Sequence, residues 1–205
     1  MKTLYKACSD YIKTYSKNYN KKRILDLGCG EGYFTSLFGL RNNVIGIDLQ
    51  NIVPKKYKNF IYRKADVTNL PFKSSSMDLV ISFDVIEHIQ NDKKMLDEAY
   101  RVLKKGGHIL FGTPNRNRLA NTILKIFGKP RSYPWLIGDD KVLGKMIHVR
   151  EYDYKELSNI LKLVGFKKIN ITPFWFGSPF FKYGFVKVFE FSKRYCQYYF
   201  FEASK

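Results

Sequence analysis

The sequence has 205 residues, of which 45% are hydrophobic and 26% are charged. This length suits one well-filled core and is short for two ordinary domains, so we expect a single domain over residues 1–205. No stretch approaches the roughly 18 to 20 uninterrupted apolar residues of a membrane-spanning helix. Residues 1–10 also lack the continuous apolar segment of a signal peptide, and we therefore expect a cytoplasmic protein.

The charge is strongly unbalanced, with 36 Lys and Arg against 18 Asp and Glu and a net charge of +18. Such a field attracts anions. The lysines are spread along the chain rather than gathered in one long run. A solvated basic surface and a binding face for nucleic acid or anionic lipid therefore both remain open.

The sequence contains three cysteines, Cys8, Cys29 and Cys196. Their odd number, their wide spacing and the absence of a CxxC motif predict reduced thiols rather than disulfides or a zinc site. Cys29 lies within a glycine-rich motif, where we expect its small size to be what matters.

Short β-branched runs alternate with helical patterns through about residues 24–171, which is typical of βαβ units and a mostly parallel sheet. Strands are predicted at residues 23–27, 44–48, 60–65, 79–83, 108–112 and 168–172, and a final one at 198–202. A helix is predicted over residues 93–103, before Gly106 and Gly107, and another between the cap Asp153 and Gly165.

Three segments depart from this alternation. Residues 1–21 predict an N-terminal helical cap, and residues 115–148 predict an insertion over the sheet with an amphipathic helix near its start. Residues 173–205 form an aromatic-rich region that ends in the final strand. The overall prediction is a doubly wound α/β fold with three α/β/α layers.

The first strand runs into a glycine-rich turn that reads ILDLGCGEG over residues 24–32. Glycine lets the backbone turn sharply and lets a ligand contact the main chain directly. The spacing is GxGxG rather than the GxGxxG of dinucleotide-binding proteins, and Asp26 precedes it. A carboxylate there would repel a pyrophosphate but suits an α-ammonium group, which argues against NAD.

Acidic residues recur at the ends of consecutive predicted strands. Asp48 ends the second strand, where an acidic residue can accept hydrogen bonds from both ribose hydroxyls. Asp66 follows the third strand and could accept a hydrogen bond from an adenine amine beside Val67. Together with Asp26, these carboxylates lie at the crevice edge where open α/β sheets bind ligands.

With these motifs, residues 25–35, 46–49, 65–72, 77–89, 101–115 and 148–166 resemble the class I S-adenosylmethionine-dependent methyltransferases, and more narrowly the ubiquinone and menaquinone biosynthesis branch. The resemblance implies a seven-stranded sheet with an antiparallel last strand. It also implies S-adenosylmethionine as the cofactor and S-adenosylhomocysteine as the product. The implied cofactor-binding residues are Asp26, Gly28, Cys29, Gly30, Tyr33, Asp48, Leu49, Asp66, Val67, Ser82 and Phe83.

Two histidines are the candidate catalytic residues. His88 follows the fourth strand and is the best general-base candidate, because histidine titrates near neutral pH. His148 follows the insertion. Each could instead support a loop. Asp84, Glu87 and His88 could gather a divalent ion, but no fourth ligand is identifiable, and we predict no metal.

The chemical class of the acceptor is predicted from the N-terminal segment and the insertion, which we expect to lie around the site. The insertion is basic and aromatic, and tyrosines recur at four-residue steps in the N-terminal segment. Such a cap suits a small-molecule or lipid-like acceptor, including an anionic one. Phe180, Phe181, Phe185 and Phe189, with neighbouring lysines, could contact an anionic membrane surface or fill a core.

Three functions follow from these patterns. The favoured one is methyl transfer to a small or lipid-like acceptor, at oxygen before carbon or nitrogen. The Asn/Asp-Pro-Pro-aromatic motif typical of base and amide methylation is absent after the fourth strand, which reads SFDVIEHI over residues 82–89. The alternatives are RNA or protein methylation through the basic surface, and a non-catalytic partner subunit.

Overall fold

The computed structural model describes residues 3–50, 59–140, 144–177, 184–185, 188 and 190–205. The described strands are β1 (Arg23–Leu27), β2 (Asn43–Asp48), β3 (Phe60–Lys64), β4 (Met77–Phe83), β5 (Leu103–Pro114), β6 (Trp135–Asp140), β7 (Gly144–His148), β8 (Lys167–Phe174), β9 (Phe176–Gly177), β10 (Gly184–Phe185) and β11 (Tyr198–Ser204). The α-helices are α1 (Leu4–Ser16), α2 (Tyr33–Gly39), α3 (Asp92–Val102), α4 (Leu119–Ile126) and α5 (Tyr154–Val164).

The main sheet has seven strands in the order β3-β2-β1-β4-β5-β11-β8. Strands β1 to β5 pair in parallel, whereas β11 pairs antiparallel with both β5 and β8. The order reverses between β1 and β4, which opens a crevice at the carboxyl ends of these two strands. The predicted doubly wound sheet with an antiparallel last strand is therefore confirmed.

Helices cover both faces of the sheet. On one face, α3 and α5 place Met95, Leu96, Leu157 and Leu161 against the apolar side chains of the strands. On the other face, α1 and α2 pack Ile12, Phe38 and their neighbours into a second apolar cluster. This arrangement confirms the three predicted layers and leaves the strand ends free to carry a site.

The predicted signals at the two ends of α5 act as caps, whereas Gly106 and Gly107 do not end α3, which stops before Leu103 and continues directly into β5. The Asp153 carboxylate accepts hydrogen bonds from the backbone N–H groups of Lys155 and Glu156, and so begins α5. Gly165 ends the same helix with φ +112°, a conformation that favours glycine. Helix α3 begins in the same way, because the Asn91 side chain accepts from the Lys94 N–H.

The three embellishments are partly described. Helix α1 lies in the segment predicted as an N-terminal helical cap, and the Tyr11 ring stacks on Phe200 at 4.3 Å, so this tyrosine packs against the sheet. The insertion consists of α4 and the β6–β7 hairpin. Of the aromatic segment, Phe174 and Trp175 are buried. Phe180, Phe181 and Phe189 lie outside the described residues, as does the Phe185 side chain. No helix in the described part of the chain is both long and apolar enough to span a membrane.

Candidate functional site

The glycine-rich loop after β1 is attached to the neighbouring strand β2. The backbone N–H groups of Gly28 and Cys29 donate to the Ile47 carbonyl, at 2.8 and 2.9 Å. Gly28 and Gly30 have φ of +70° and +49°, which glycine adopts without steric cost. The loop therefore turns sharply at the carboxyl edge of the sheet and leads into α2.

The two glycines face different surroundings. A Cβ on Gly28 would lie 2.4 Å from Cγ2 of Val85, in the chain that follows β4, so this glycine permits a close approach of two segments. A Cβ on Gly30 would meet nothing within 4 Å. The main chain at Gly30 is thus open to a ligand, whereas Gly28 holds the loop against the adjacent strand end.

Gly28→Ala should lower the free energy of unfolding more than a glycine-to-alanine change at another position with positive φ. A left-handed alanine costs roughly 1–2 kcal/mol, and at Gly28 the overlap with Val85 adds to it. Gly106→Ala is the matched control, because Gly106 has φ +75° and a Cβ added there would meet nothing within 4 Å. Thermal unfolding should show the lower Tm for Gly28→Ala, and equal Tm losses would contradict the close packing.

Asp26 is buried beneath the loop, with 2% of its surface exposed. The Thr35 hydroxyl donates to its Oδ2 at 2.5 Å. Burial raises the pKa of Asp26 to about 7, against the lowering effect of Thr35 and with a smaller contribution from Asp48. A buried carboxylate with one hydrogen bond is a suitable partner for a ligand ammonium group.

Asp48 ends β2 beside the same loop. Its Oδ2 accepts a hydrogen bond from the Gly30 N–H at 3.0 Å, and its Oδ1 accepts from the Gln50 N–H at 3.0 Å. The next residue, Leu49, is 67% exposed. The carboxylate therefore lies where the open main chain at Gly30 would receive a ligand, with Leu49 at the rim.

The remaining predicted cofactor residues surround these two acids. Asp66 closes a turn, because its Oδ1 accepts from the Thr68 N–H and hydroxyl at 2.7 and 2.8 Å, and Val67 is buried. Ser82 donates to the Leu27 carbonyl and ties β4 to β1. The rest lie along the loop and the β4 end: Cys29 is half-buried, the Tyr33 hydroxyl bonds the Ser9 hydroxyl at 3.1 Å, and Phe83 is buried.

The two candidate histidines lie side by side, with ring centroids 4.9 Å apart. His88 bonds the Ile147 carbonyl through Nδ1 at 2.8 Å, and His148 bonds Glu151 Oε1 through Nδ1 at 2.7 Å. Each contact fixes the ring and leaves Nε2 for other chemistry. Burial lowers the pKa of His88, which favours its neutral, proton-accepting form.

A buried charge network that the sequence did not predict supports His148. Glu151 also accepts from both terminal nitrogens of the Arg118 guanidinium, at 3.0 Å from Nη2. Burial alone would raise the pKa of Glu151, but His148 and Arg118 lower it to about 2. The only sequence signal was a glutamate three residues after His148 and an arginine early in the insertion.

Glu87 completes this cluster. Its side chain is fully buried, its Oε2 accepts from Thr113 at 3.0 Å, and its Oε1 lies 3.9 Å from His148 Nε2 with no hydrogen-bond partner among the described residues. Burial raises the pKa of Glu87, and the nearby Asp84 raises it further.

Glu87, His88 and His148 are the described residues that could hold a metal, with ligand atoms all within 4.8 Å of one another. Two imidazoles oriented through Nδ1 and one carboxylate are a common donor set for a divalent transition metal. From the sequence, the possible metal ligands are Asp84, Glu87 and His88. The structure brings in His148 instead, and the prediction of no metal stays a prediction.

A cavity of about 150 Å³ opens beside the β4 end. Its walls are mostly apolar and come from α1, from the start of α2 and from the ends of β4, β5 and β11. Asp84 faces into it, directly after Phe83, and Tyr198 contributes the first residue of β11. Sequence reasoning singled out Asp84 only as a metal ligand and did not identify Tyr198.

Comparison with known proteins gives a consistent family. Residues 25–111 match the family model described as "Methyltransferase domain". The uncharacterized protein MJ1123 of Methanocaldococcus jannaschii is 30% identical over 162 residues, which cover 78% of this chain and 72% of that protein.

A second relative, from Mycolicibacterium smegmatis, carries the name "Probable S-adenosylmethionine-dependent methyltransferase" and is 33% identical over 149 residues. The match covers 70% of this chain and 51% of the relative, so the chain spans about half the length of that protein. Among solved structures, a SAM-dependent methyltransferase from Archaeoglobus fulgidus has a TM-score of 0.64 at 21% identity, covering 96% of this chain and 94% of that one. This structural likeness concerns the fold.

Proposed function

Because this chain belongs to the class I S-adenosylmethionine-dependent methyltransferases, we propose that it transfers the methyl group of S-adenosylmethionine to a small-molecule or lipid-like acceptor. The observation that best supports this proposal is that Asp26 and Asp48 flank one glycine loop, in which nothing lies within 4 Å of the Cβ position of Gly30. We place the reaction in the cytoplasm, with contact to an anionic membrane as a further proposal. The narrower resemblance to quinone-biosynthesis enzymes stays a prediction.

The residues at the strand ends fit this cofactor. Asp26 would accept hydrogen bonds from its α-ammonium group, Asp48 from its ribose hydroxyls, and Asp66 from its adenine amine beside the buried Val67. When bound, the cofactor supplies an activated methyl group on a sulfonium. The protein's own task is then to hold the acceptor in line, exclude water and, where needed, remove a proton.

Oxygen is the proposed atom of methylation, and His88 is the proposed base. The chain after β4 lacks the Pro-Pro motif of base and amide methylation, which supports oxygen over nitrogen. Neutral His88 has its Nδ1 fixed by Ile147, so its Nε2 can take a proton. His148, oriented by Glu151, is the second candidate for the same role.

Methyl transfer from labelled S-adenosylmethionine into a fractionated cell extract tests this function. We expect label in a small or lipid-soluble product, and its mass and fragmentation give the atom methylated. Label that appears only in RNA or protein would contradict the proposal. The net charge of +18 favours RNA as the second candidate, and binding that weakens steeply with salt would mark it.

His88→Ala should lower kcat about a hundredfold or more, because general-base catalysis contributes roughly that much. The KM for S-adenosylmethionine should stay near the wild-type value. His108→Ala is the control, since His108 is 42% exposed and lies 3.9 Å from Glu202 in a surface pair. Steady-state kinetics of both variants decide the matter, and wild-type kcat in His88→Ala would mean that this histidine only supports its loop.

A further inference from the structure

The cavity beside the β4 end adjoins the proposed cofactor site. Phe83 and Asp84 follow directly from β4, and Phe34 is the second residue of α2, which begins after the glycine loop. Val85, the next residue along the chain, contacts the loop at Gly28. A ligand in this cavity would therefore lie close to the glycine loop, where we expect the acceptor.

The size of the cavity limits what can enter. Its volume of about 150 Å³ is comparable to cavities that hold one benzene-sized molecule. Leu4, Cys8, Ile12 and Phe34 give it apolar walls. An apolar ring or a short alkyl group fits, and burying it is favourable by about 25 cal/mol for each Å² removed from water.

Asp84 forms the main polar feature of this cavity. Its backbone has φ +55°, and its N–H donates to the Gly112 carbonyl at 3.0 Å, which fixes the residue over the end of β5. Asp84 lines the cavity and is exposed there. Desolvation by the neighbouring protein raises the pKa of Asp84 to about 6, against lowering contributions from Tyr198 and His148.

Tyr198 supplies the second polar group. It is 4% exposed, it lines the same cavity as Asp84, and its hydroxyl lowers the pKa of the Asp84 carboxyl. It fits only because residue 112 is glycine, since a Cβ there would lie 2.5 Å from Cε1 of the Tyr198 ring. Tyr198 therefore brings a second polar side chain into the cavity that Asp84 lines.

The charged groups described around the cavity are mainly acidic. Among the described residues, those that line it include Asp84 and no lysine, arginine or histidine, and the buried Glu87 lies nearby. His148 lowers the pKa of Asp84, and its own ring is hydrogen-bonded to Glu151. A carboxylate ligand would thus be desolvated next to another carboxylate, which is strongly unfavourable.

We propose that Asp84 and Tyr198 select an acceptor whose reactive group donates a hydrogen bond, a hydroxyl or an amine on a ring-sized apolar body, and that they exclude a carboxylate. This rests on the proposed function and narrows its acceptor.

Calorimetry with four matched probes tests this selection: benzyl alcohol, benzylamine, benzoate and toluene. They share one ring and differ in the group presented to Asp84. We expect benzyl alcohol and benzylamine to bind the wild-type protein at least about tenfold more tightly than benzoate, since a hydrogen bond to a charged group contributes about that much. Toluene should fall between them and benzoate.

Two variants separate charge from shape. Asp84→Asn keeps the size of the side chain, and it should weaken benzylamine about tenfold and bring benzoate up to the level of toluene. Tyr198→Phe keeps the ring and should weaken benzyl alcohol by a smaller factor. Asp97→Asn, an exposed carboxylate paired with Lys93 at 2.9 Å, is the control and should leave the ranking unchanged.

The proposal is overturned if benzoate binds the wild-type protein as tightly as benzyl alcohol and benzylamine, if no probe binds, or if Asp84→Asn leaves the ranking intact. Titrations with and without S-adenosylhomocysteine keep this result apart from the proposed function. If the wild-type protein does not bind S-adenosylhomocysteine, the proposed methyl transfer is contradicted. The ranking of the four probes is measured independently, so it still tests the selection by the cavity.

Discussion

Asp48→Ala should lower the affinity for S-adenosylhomocysteine by about a hundredfold or more, because hydrogen bonds from two hydroxyls to one carboxylate contribute roughly 1.5–3 kcal/mol each. Asp48 also accepts a hydrogen bond from the Gly30 N–H, so its loss loosens the loop that would contact the ligand. Isothermal titration of the full chain measures the affinity directly.

Controls separate this loss of binding from loss of folding. Asp97→Ala removes an exposed carboxylate of the same kind and should bind S-adenosylhomocysteine as the wild type does. Asp48→Asn keeps an acceptor for Gly30 and should recover part of the affinity. An Asp48→Ala protein with the wild-type affinity would show that this carboxylate does not bind the ribose.

Asp26→Asn should make the ligand-free protein more stable near pH 8 and at the same time abolish its binding of S-adenosylhomocysteine. The folded-state pKa of Asp26 is about 7, raised by burial from an ordinary value of 3.8. Each pKa unit corresponds to about 1.4 kcal/mol, so the buried charge costs a few kcal/mol once the group ionises. Asparagine removes that cost, and it still accepts a hydrogen bond from Thr35.

The pH window follows from the direction of the shift. Between pH 3.8 and about 7 the folded state holds a proton on Asp26 that the unfolded state releases, so this group's contribution to stability falls as the pH rises. The gain from Asp26→Asn should therefore be small near pH 4 and reach its full size above about pH 7. Chemical denaturation at several pH values measures it.

Asp78→Asn provides a control of opposite sign. Despite partial burial, the Lys104 ammonium and the Arg23 N–H lower the pKa of Asp78, so its charge stabilises the fold above its unfolded pKa. Removing that charge should reduce stability at pH 8. If Asp26→Asn also lost stability there, the carboxylate would be stabilising in the empty protein, and the interpretation of a ligand-dedicated buried charge would be wrong.

Much of the fold and the positions of the candidate cofactor residues at the strand ends could be predicted, because their signals are local in sequence. The glycine spacing, the strand-end position of Asp48 and the cap at Asp153 each depend on a few neighbouring residues, and the structure places them as expected. Local reasoning was less complete for Asp66 and Ser82. One oxygen of Asp66 closes a turn, and the Ser82 hydroxyl holds β1, which only the folded contacts reveal.

The proposed acceptor cavity could not be predicted in the same way, since its residues meet only in the folded chain. Asp84 and Tyr198 are distant in sequence and become neighbours because β11 inserts beside β5, with Tyr198 opposite Pro114. Arg118 reaches Glu151 across the whole insertion. No periodicity or motif links these pairs, and their chemistry depends on burial that a sequence does not display.

The antiparallel strand β11 also dictates an order of assembly. Strand β8 comes earlier in the chain, yet among the described strands its hydrogen-bonded neighbour in the sheet is β11, because the order at this end is β5-β11-β8. The main chain of β8 can therefore form its hydrogen bonds in the sheet only after β11, which follows it in the chain, has been placed. Pulsed hydrogen exchange during refolding should show the amides of β8 becoming protected together with β11, and later than those of β1 and β4.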